Sequence, residues 1–111
     1  MNNLAASIPD RNIPELGILT RVMDLSSFDM IYIYHHLSKG VALDLDRDYT
    51  HYYKNAVQVS FKGFKLGYLP EKVSAIVCAR MDKGKDLIAR IKSIEKKKHL
   101  PLKSLDIELL F

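Results

Sequence analysis

Cysteine is nearly absent from this chain. The single thiol, Cys78, cannot close an internal disulfide, which fits a reducing compartment and leads to an expected cytoplasmic location. Long apolar runs are missing too. None approaches the roughly 20 residues that a membrane helix needs, so no membrane partner is expected. The opening Met1-Asn2-Asn3-Leu4 lacks a basic stretch followed by an apolar one and does not read as a secretory signal. The chain is also short. Its 111 residues fit one domain, since two normally need roughly 200 or more. A TIM barrel and a two-lobed Rossmann enzyme are excluded by length. Disorder is excluded by an apolar share of 48% and a net charge of only +4.

Catalytic patterns are equally scarce. The four histidines, His35, His36, His51 and His99, form no H-E-x-x-H arrangement, and no second cysteine is present for a zinc site. The serines lack a G-x-S-x-G context, and there is no phosphate-binding glycine loop. Asp44, Asp46 and Asp48 lack the glycine and distal glutamate of a calcium loop and read as a solvated edge. Cys78 falls mid-helix beside an apolar stripe, as a small packed side chain rather than a nucleophile. No cofactor, metal or catalytic residue is assigned, and the chain is read as a non-enzyme.

What is present is an uneven charge. Residues 1–53 hold four Lys/Arg and seven acids, a net of −3, whereas residues 54–111 hold thirteen and six, a net of +7. The basic half is densest at Arg90, Lys92, Lys96, Lys97, Lys98 and Lys103. Such a face attracts polyanions, or serves only as a solvated surface.

Residues 1–24 read as an N-terminal arm or lead-in, with Pro9 and Pro14 interrupting it and Leu16–Met23 forming a short strand or helical turn. Residues 25–111 read as the folded domain. Phe28, Met30, Tyr32 and Tyr34 alternate with Ile31, Ile33 and His35, which predicts a strand buried on both faces. Adjacent His35 and His36 would then point to opposite faces. Val41, Leu43 and Leu45 alternate with polar partners in a half-buried strand. A polar, aromatic loop follows from Arg47 to Asn55. Val57, Val59 and Phe61, the turn Lys62-Gly63, and Phe64, Leu66 and Tyr68 predict a hairpin, with Gly67 marking a bulge or a close backbone approach. Pro70-Glu71 opens a helix whose apolar stripe is Val73, Ile76, Val77 and Met81 and which Gly84 ends. Alternation over Leu87–Lys92 and Leu105–Phe111 predicts two more strands, separated by a Lys96–Pro101 loop. The sum is a mainly β domain with one or two helices, an OB-like or SH3-like barrel of five to six strands.

The informative constellation is aromatic. Tyr49, Tyr52 and Tyr53 crowd the loop, with Tyr68 nearby in strand context and Lys or Arg around them. Rings flanked by cations match the stacking-plus-backbone pattern of single-strand binding. Phe61, Phe64, Tyr32 and Tyr34 alternate with apolar residues and read as core.

The segments Tyr52-Tyr53-Lys54-Asn55-Ala56-Val57-Gln58-Val59 and Gly63-Phe64-Lys65-Leu66-Gly67-Tyr68-Leu69-Pro70-Glu71 resemble the HIRAN domain. That family shows N-P-Y-D-x-N-A-[IV]-x-V, a short turn, and [VIL]-G-[YH]-[VIL]-P-x-E opening a helix. Arg47-Asp48 looks like the Arg-Glu of its preceding R-E-P element, placed one residue closer. The resemblance implies a small OB-related barrel that recognises single-stranded DNA at a 3′-hydroxyl end, by tyrosine stacking and an aspartate that binds the terminal hydroxyl. Carried over by position, the tyrosine falls on Tyr52 and the asparagine on Asn55. The aspartate falls on Tyr53, a departure that removes a carboxylate.

The expected function is therefore a non-catalytic nucleic-acid-binding module for single-stranded DNA or DNA ends in repair or processing, with a helicase or nuclease acting in trans. Tyr52 would stack on a base, with Tyr53 and Tyr68 beside it, and Arg47, Lys54, Lys65 and Lys72 would contact phosphates. Asn55 completes the candidate set or fixes the loop backbone. The alternative is a protein-interaction module on the same barrel that has lost DNA-end recognition.

Overall fold

Alternating apolar residues dictate most of the architecture. The computed structural model describes residues 17–25, 30, 32–96 and 104–111. Residues 1–16 of the lead-in, Phe28 and most of the lysine-rich loop lie outside the described residues.

The strands are β1 (Gly17–Arg21), β2 (Ala42–Asp48), β3 (Ala56–Phe61), β4 (Phe64–Tyr68), β5 (Ile88–Glu95) and β6 (Ser104–Leu110), with helix α1 (Glu71–Asp82) between β4 and β5. All pairings are antiparallel, in one six-stranded sheet of order β1-β6-β5-β2-β3-β4. The fold is mainly β and OB-like, as the alternation predicts. β1 comes from the segment read as a lead-in, and pairs along β6 from Gly17–Leu110 to Arg21–Asp106.

The two edges of the sheet meet at one point. Met23, just beyond β1, forms a bridge with Tyr68 at the end of β4. The Met23 amide donates to the Tyr68 carbonyl at 2.7 Å, and the Tyr68 amide donates to the Met23 carbonyl at 2.8 Å. Gly67 makes this approach possible. A Cβ there would lie 2.4 Å from the Met23 carbonyl oxygen and 2.7 Å from Val22 Cγ1. A bulge helps to seat it: Val59 faces Gly67 but Ser60 faces Lys65, so Leu66 is the extra residue. The β3–β4 turn is equally determined. Lys62 and Gly63 both have positive φ, 47° and 88°, the twist that a two-residue hairpin requires.

The core lies on one face of β6, whose Leu105, Ile107 and Leu109 are fully buried, with Ala89 and Ile91 of β5 and Val57 and Val59 of β3. α1 covers part of it. Its buried stripe is Ser74, Val77 and Cys78, with Val73 and Met81 half-buried. Ile76, expected in that stripe, is 45% exposed. Small residues serve because the helix lies close to β3: the Ser74 hydroxyl accepts from the Val57 amide and donates to the Leu69 carbonyl, both at 3.3 Å.

One predicted strand is absent. Met30, Tyr32 and Ile33 are helical, and Tyr34–His36 form a 3-10 turn. Met30, Ile33 and Leu37 are buried, which is helical rather than alternating spacing. The run is apolar at nearly every position, so both periods fit it, and burial decides for the helical one. Tyr32, expected as core, is 62% exposed, and Phe64 is 40% exposed. Phe61 and Tyr34 do pack against the core. His35 and His36 are exposed on the 3-10 turn.

Gly67→Ala is expected to cost about 1–3 kcal/mol, the range for forced overpacking, read as a lower urea midpoint. Gly17→Ala, whose Cβ meets a leucine methyl at 3.3 Å, is expected to change stability by less than about 0.5 kcal/mol.

Candidate functional site

β2 ends at Asp48, and its carboxylate organises the loop that follows. One oxygen accepts from the Thr50 amide at 2.9 Å and the Thr50 hydroxyl at 2.6 Å, a local turn that aspartate makes readily. The other accepts from the Tyr68 hydroxyl. These bonds favour the charged form and hold the carboxyl at about 2, with the Thr50 hydroxyl contributing most, then Tyr68, then the Thr50 amide. Burial pushes the Tyr68 phenol up, and its bond to Asp48 adds to this.

The buried Tyr68 ring is the floor of an aromatic cluster. His51 stacks on it with centroids 3.9 Å apart and planes 22° apart. His51 also touches Tyr52 at 4.5 Å and meets Tyr53 edge-on at 4.6 Å. Tyr52 and Tyr53 are themselves edge-to-face at 5.0 Å, within the favourable range for ring pairs. Lys65 places its ammonium 4.5 Å from the Tyr68 centroid, a cation–π contact. The phenol of Tyr53 is half-buried and donates to the Leu69 carbonyl, and burial pushes its pKa up. Tyr52 differs from its neighbours. Its ring is 83% exposed at the top of the cluster.

Of the candidates from sequence, Tyr52, Tyr53, Tyr68 and Lys65 are therefore together. Lys54 is exposed in the same loop, and Lys72 is exposed on the first turn of α1. Asn55 has φ of +61°, a left-handed conformation that asparagine tolerates, and its carbonyl accepts from the Cys78 thiol at 3.4 Å. Arg47 turns to the helix instead of the cluster. Its guanidinium donates to the Cys78 carbonyl at 3.0 Å and to Asp82 at 2.8 Å. Two contributors escaped the sequence reading, His51 and Asp48. The Asp48-x-Thr50 spacing is a readable turn signal, whereas the stacking of His51 depends on a contact with another element.

The family model of the HIRAN domain matches residues 19–108. The chain belongs to the HIRAN domain family. Two crystal structures share the fold. A protein from Lactobacillus plantarum has 21% identity and a TM-score of 0.67, covering 86% of this chain and 94% of that one. The HIRAN domain of human HLTF has 14% identity and a TM-score of 0.65, covering 89% of this chain and 77% of that one. Comparison with curated proteins gives no match. Within this HIRAN domain, the family-pattern segments supply both halves of the cluster: the loop carries Tyr52 and Tyr53, and the end of β4 carries Tyr68.

The Asp48 carboxyl is expected to titrate at about 2 in the folded protein, against about 3.9 when unfolded. A lowered folded value means that its stabilisation is present above the unfolded value and is lost as pH falls through about 2. Tyr68→Phe is expected to move the carboxyl midpoint upward in an NMR titration.

Proposed function

We propose that this HIRAN domain is a non-catalytic module that binds single-stranded DNA or DNA ends, 3′ ends included, in DNA repair or processing. The observation that carries this reading is the Tyr52 ring, 83% exposed yet braced from beneath by His51 and Tyr53. A ring already fixed in orientation offers a stacking face with little conformational entropy left to lose on binding. In this reading Lys54, Lys65 and Lys72 contact backbone phosphates, and Tyr53 and Tyr68 support the platform. Arg47 and Asn55 contribute by holding the loop's ends against α1. The module works in the cytoplasm, and a helicase or nuclease acting in trans supplies the chemistry.

The Tyr53 phenol stands where the family pattern has an aspartate, and it is already bonded to the Leu69 carbonyl. A titration should therefore compare strands ending in a 3′-hydroxyl, a 3′-phosphate and a blocked 3′ end. Equal affinity for the three would make the domain a strand reader rather than an end reader.

Binding of a fluorescent short single strand is expected to weaken by about 1–3 kcal/mol in Tyr52→Ala and to be largely kept in Tyr52→Phe. Log affinity should fall with log salt, by roughly 0.7 per phosphate contacted. Absence of binding at low salt would overturn the reading.

A further inference from the structure

One nitrogen in the aromatic cluster has nothing to bond to. His51 Nε2 is buried and lacks a hydrogen-bond partner, a condition shared among the described residues only by Arg47 Nε. In the neutral ring that atom is an unpaired acceptor or an unpaired donor, according to the tautomer. The ring is held there by its faces and edges. Tyr68 stacks against it at 3.9 Å, and Tyr52 and Tyr53 meet it at 4.5 and 4.6 Å.

A proton upsets this balance. The imidazolium donates from both nitrogens, so Nε2 would carry a charged N–H where no acceptor waits. Burying a charge without a partner costs more than burying a neutral polar atom. The groups around the ring leave that cost in place. On β4, Lys65 holds its ammonium 4.5 Å from the centroid of Tyr68, the ring on which His51 stacks, so a second cation there is repelled. At the end of β2, Asp48 attracts a charged His51, but this is the weakest of the influences on its carboxyl, whose oxygens are taken by Thr50 and Tyr68. The loop itself brings Tyr52, Tyr53 and Lys54, none of which offers a carboxylate. Asp24 and Glu71 act on Tyr53. Among the described residues no carboxylate forms an ion pair with His51, the pairs being Arg21–Asp106, Arg47–Asp82 and Arg90–Glu108.

We propose that His51 is a proton-operated latch for the aromatic platform. Neutral, it lies on Tyr68 and braces Tyr52. Protonated, it leaves the stack for solvent, and Tyr52 loses its brace. The stacked state thus holds fewer protons than the open one. It is favoured at higher pH and lost as pH falls through the histidine range, about 5 to 8. The effect on binding rests on the reading of Tyr52 as the stacking face: an unbraced ring must be ordered again when a base arrives, and affinity falls. Simple electrostatics has the opposite sign. Acidification adds positive charge to the chain, through its other three histidines among others, and by itself tightens binding of a polyanion.

The test uses the full chain at about pH 7.5 and about pH 5.5, either side of the ordinary histidine midpoint near 6.5. In the free protein, the NMR contact between the His51 and Tyr68 rings is expected at the higher pH and lost at the lower. Affinity for a short fluorescent oligothymidine, whose bases take up no proton in this range, is expected to fall about fivefold on acidification, the scale of leaving a buried polar group unpaired. In His51→Phe, which keeps a ring and loses the titration, affinity is expected to hold or rise on acidification. A His51 ring that stays on Tyr68 while its own signals titrate would overturn the proposal. So would wild-type affinity that is unchanged or tighter in acid, or an equal loss in His51→Phe. If the oligonucleotide binds at neither pH, the single-strand reading fails, and the ring contact in the free chain decides the latch.

Discussion

The structure depends on one backbone-to-backbone contact, the Met23–Tyr68 bridge over Gly67. A six-stranded antiparallel sheet has two free edges, and here they are brought together by a single pair of reciprocal hydrogen bonds. The approach is so close that any side chain at Gly67 would enter the space of the Met23 carbonyl and the Val22 side chain. At this seam Leu66, Gly67 and Tyr68 at the end of β4, and Leu69 just beyond it, are all buried, so both faces of the chain are covered there.

From this seam the order passes outward to the surface. Tyr68 is held at the backbone by Met23 and at its hydroxyl by Asp48, a charge-assisted bond of the stronger kind. Its ring then supports His51, and His51 supports Tyr52 and Tyr53. The exposed tyrosine is thus the last member of a stack rooted in the core. Its neighbour Tyr53 reaches inward to the Leu69 carbonyl at the start of α1. One loop residue therefore faces solvent while the next anchors the loop. Arg47 ties β2 to the far end of α1 through Asp82, so the loop is bounded at both ends by contacts with the same helix.

Much of this was legible in the residues, and the exceptions share a cause. The hairpin was readable because Lys62-Gly63 sits between two alternating runs. The role of Gly67 was readable because a glycine inside a strand signals close approach. β5 and β6 alternate cleanly, since one of their faces stays wet. The described residues of the next run, Met30 and Tyr32–His35, are helical rather than extended because the run is apolar at nearly every position, so both periods fit it. Tyr32, Phe64 and Ile76 are exposed although their spacing suggested burial, because three-dimensional neighbours, rather than spacing, decide which face is covered. Tyr52 could be singled out by its loop position and its family pattern. His51 could not, because the stacked ring that gives it a role belongs to β4.

The lone thiol gains a use from its position. Cys78 is buried in α1 and directs its sulfur to the Asn55 carbonyl, at the hinge between the aromatic loop and β3. An alkylating reagent can reach that sulfur only when the seam between loop and helix parts. With no other cysteine in the chain to compete, the rate of alkylation is a clock for that opening. The protein carries, without any engineering, its own reporter of how tightly the aromatic loop is latched.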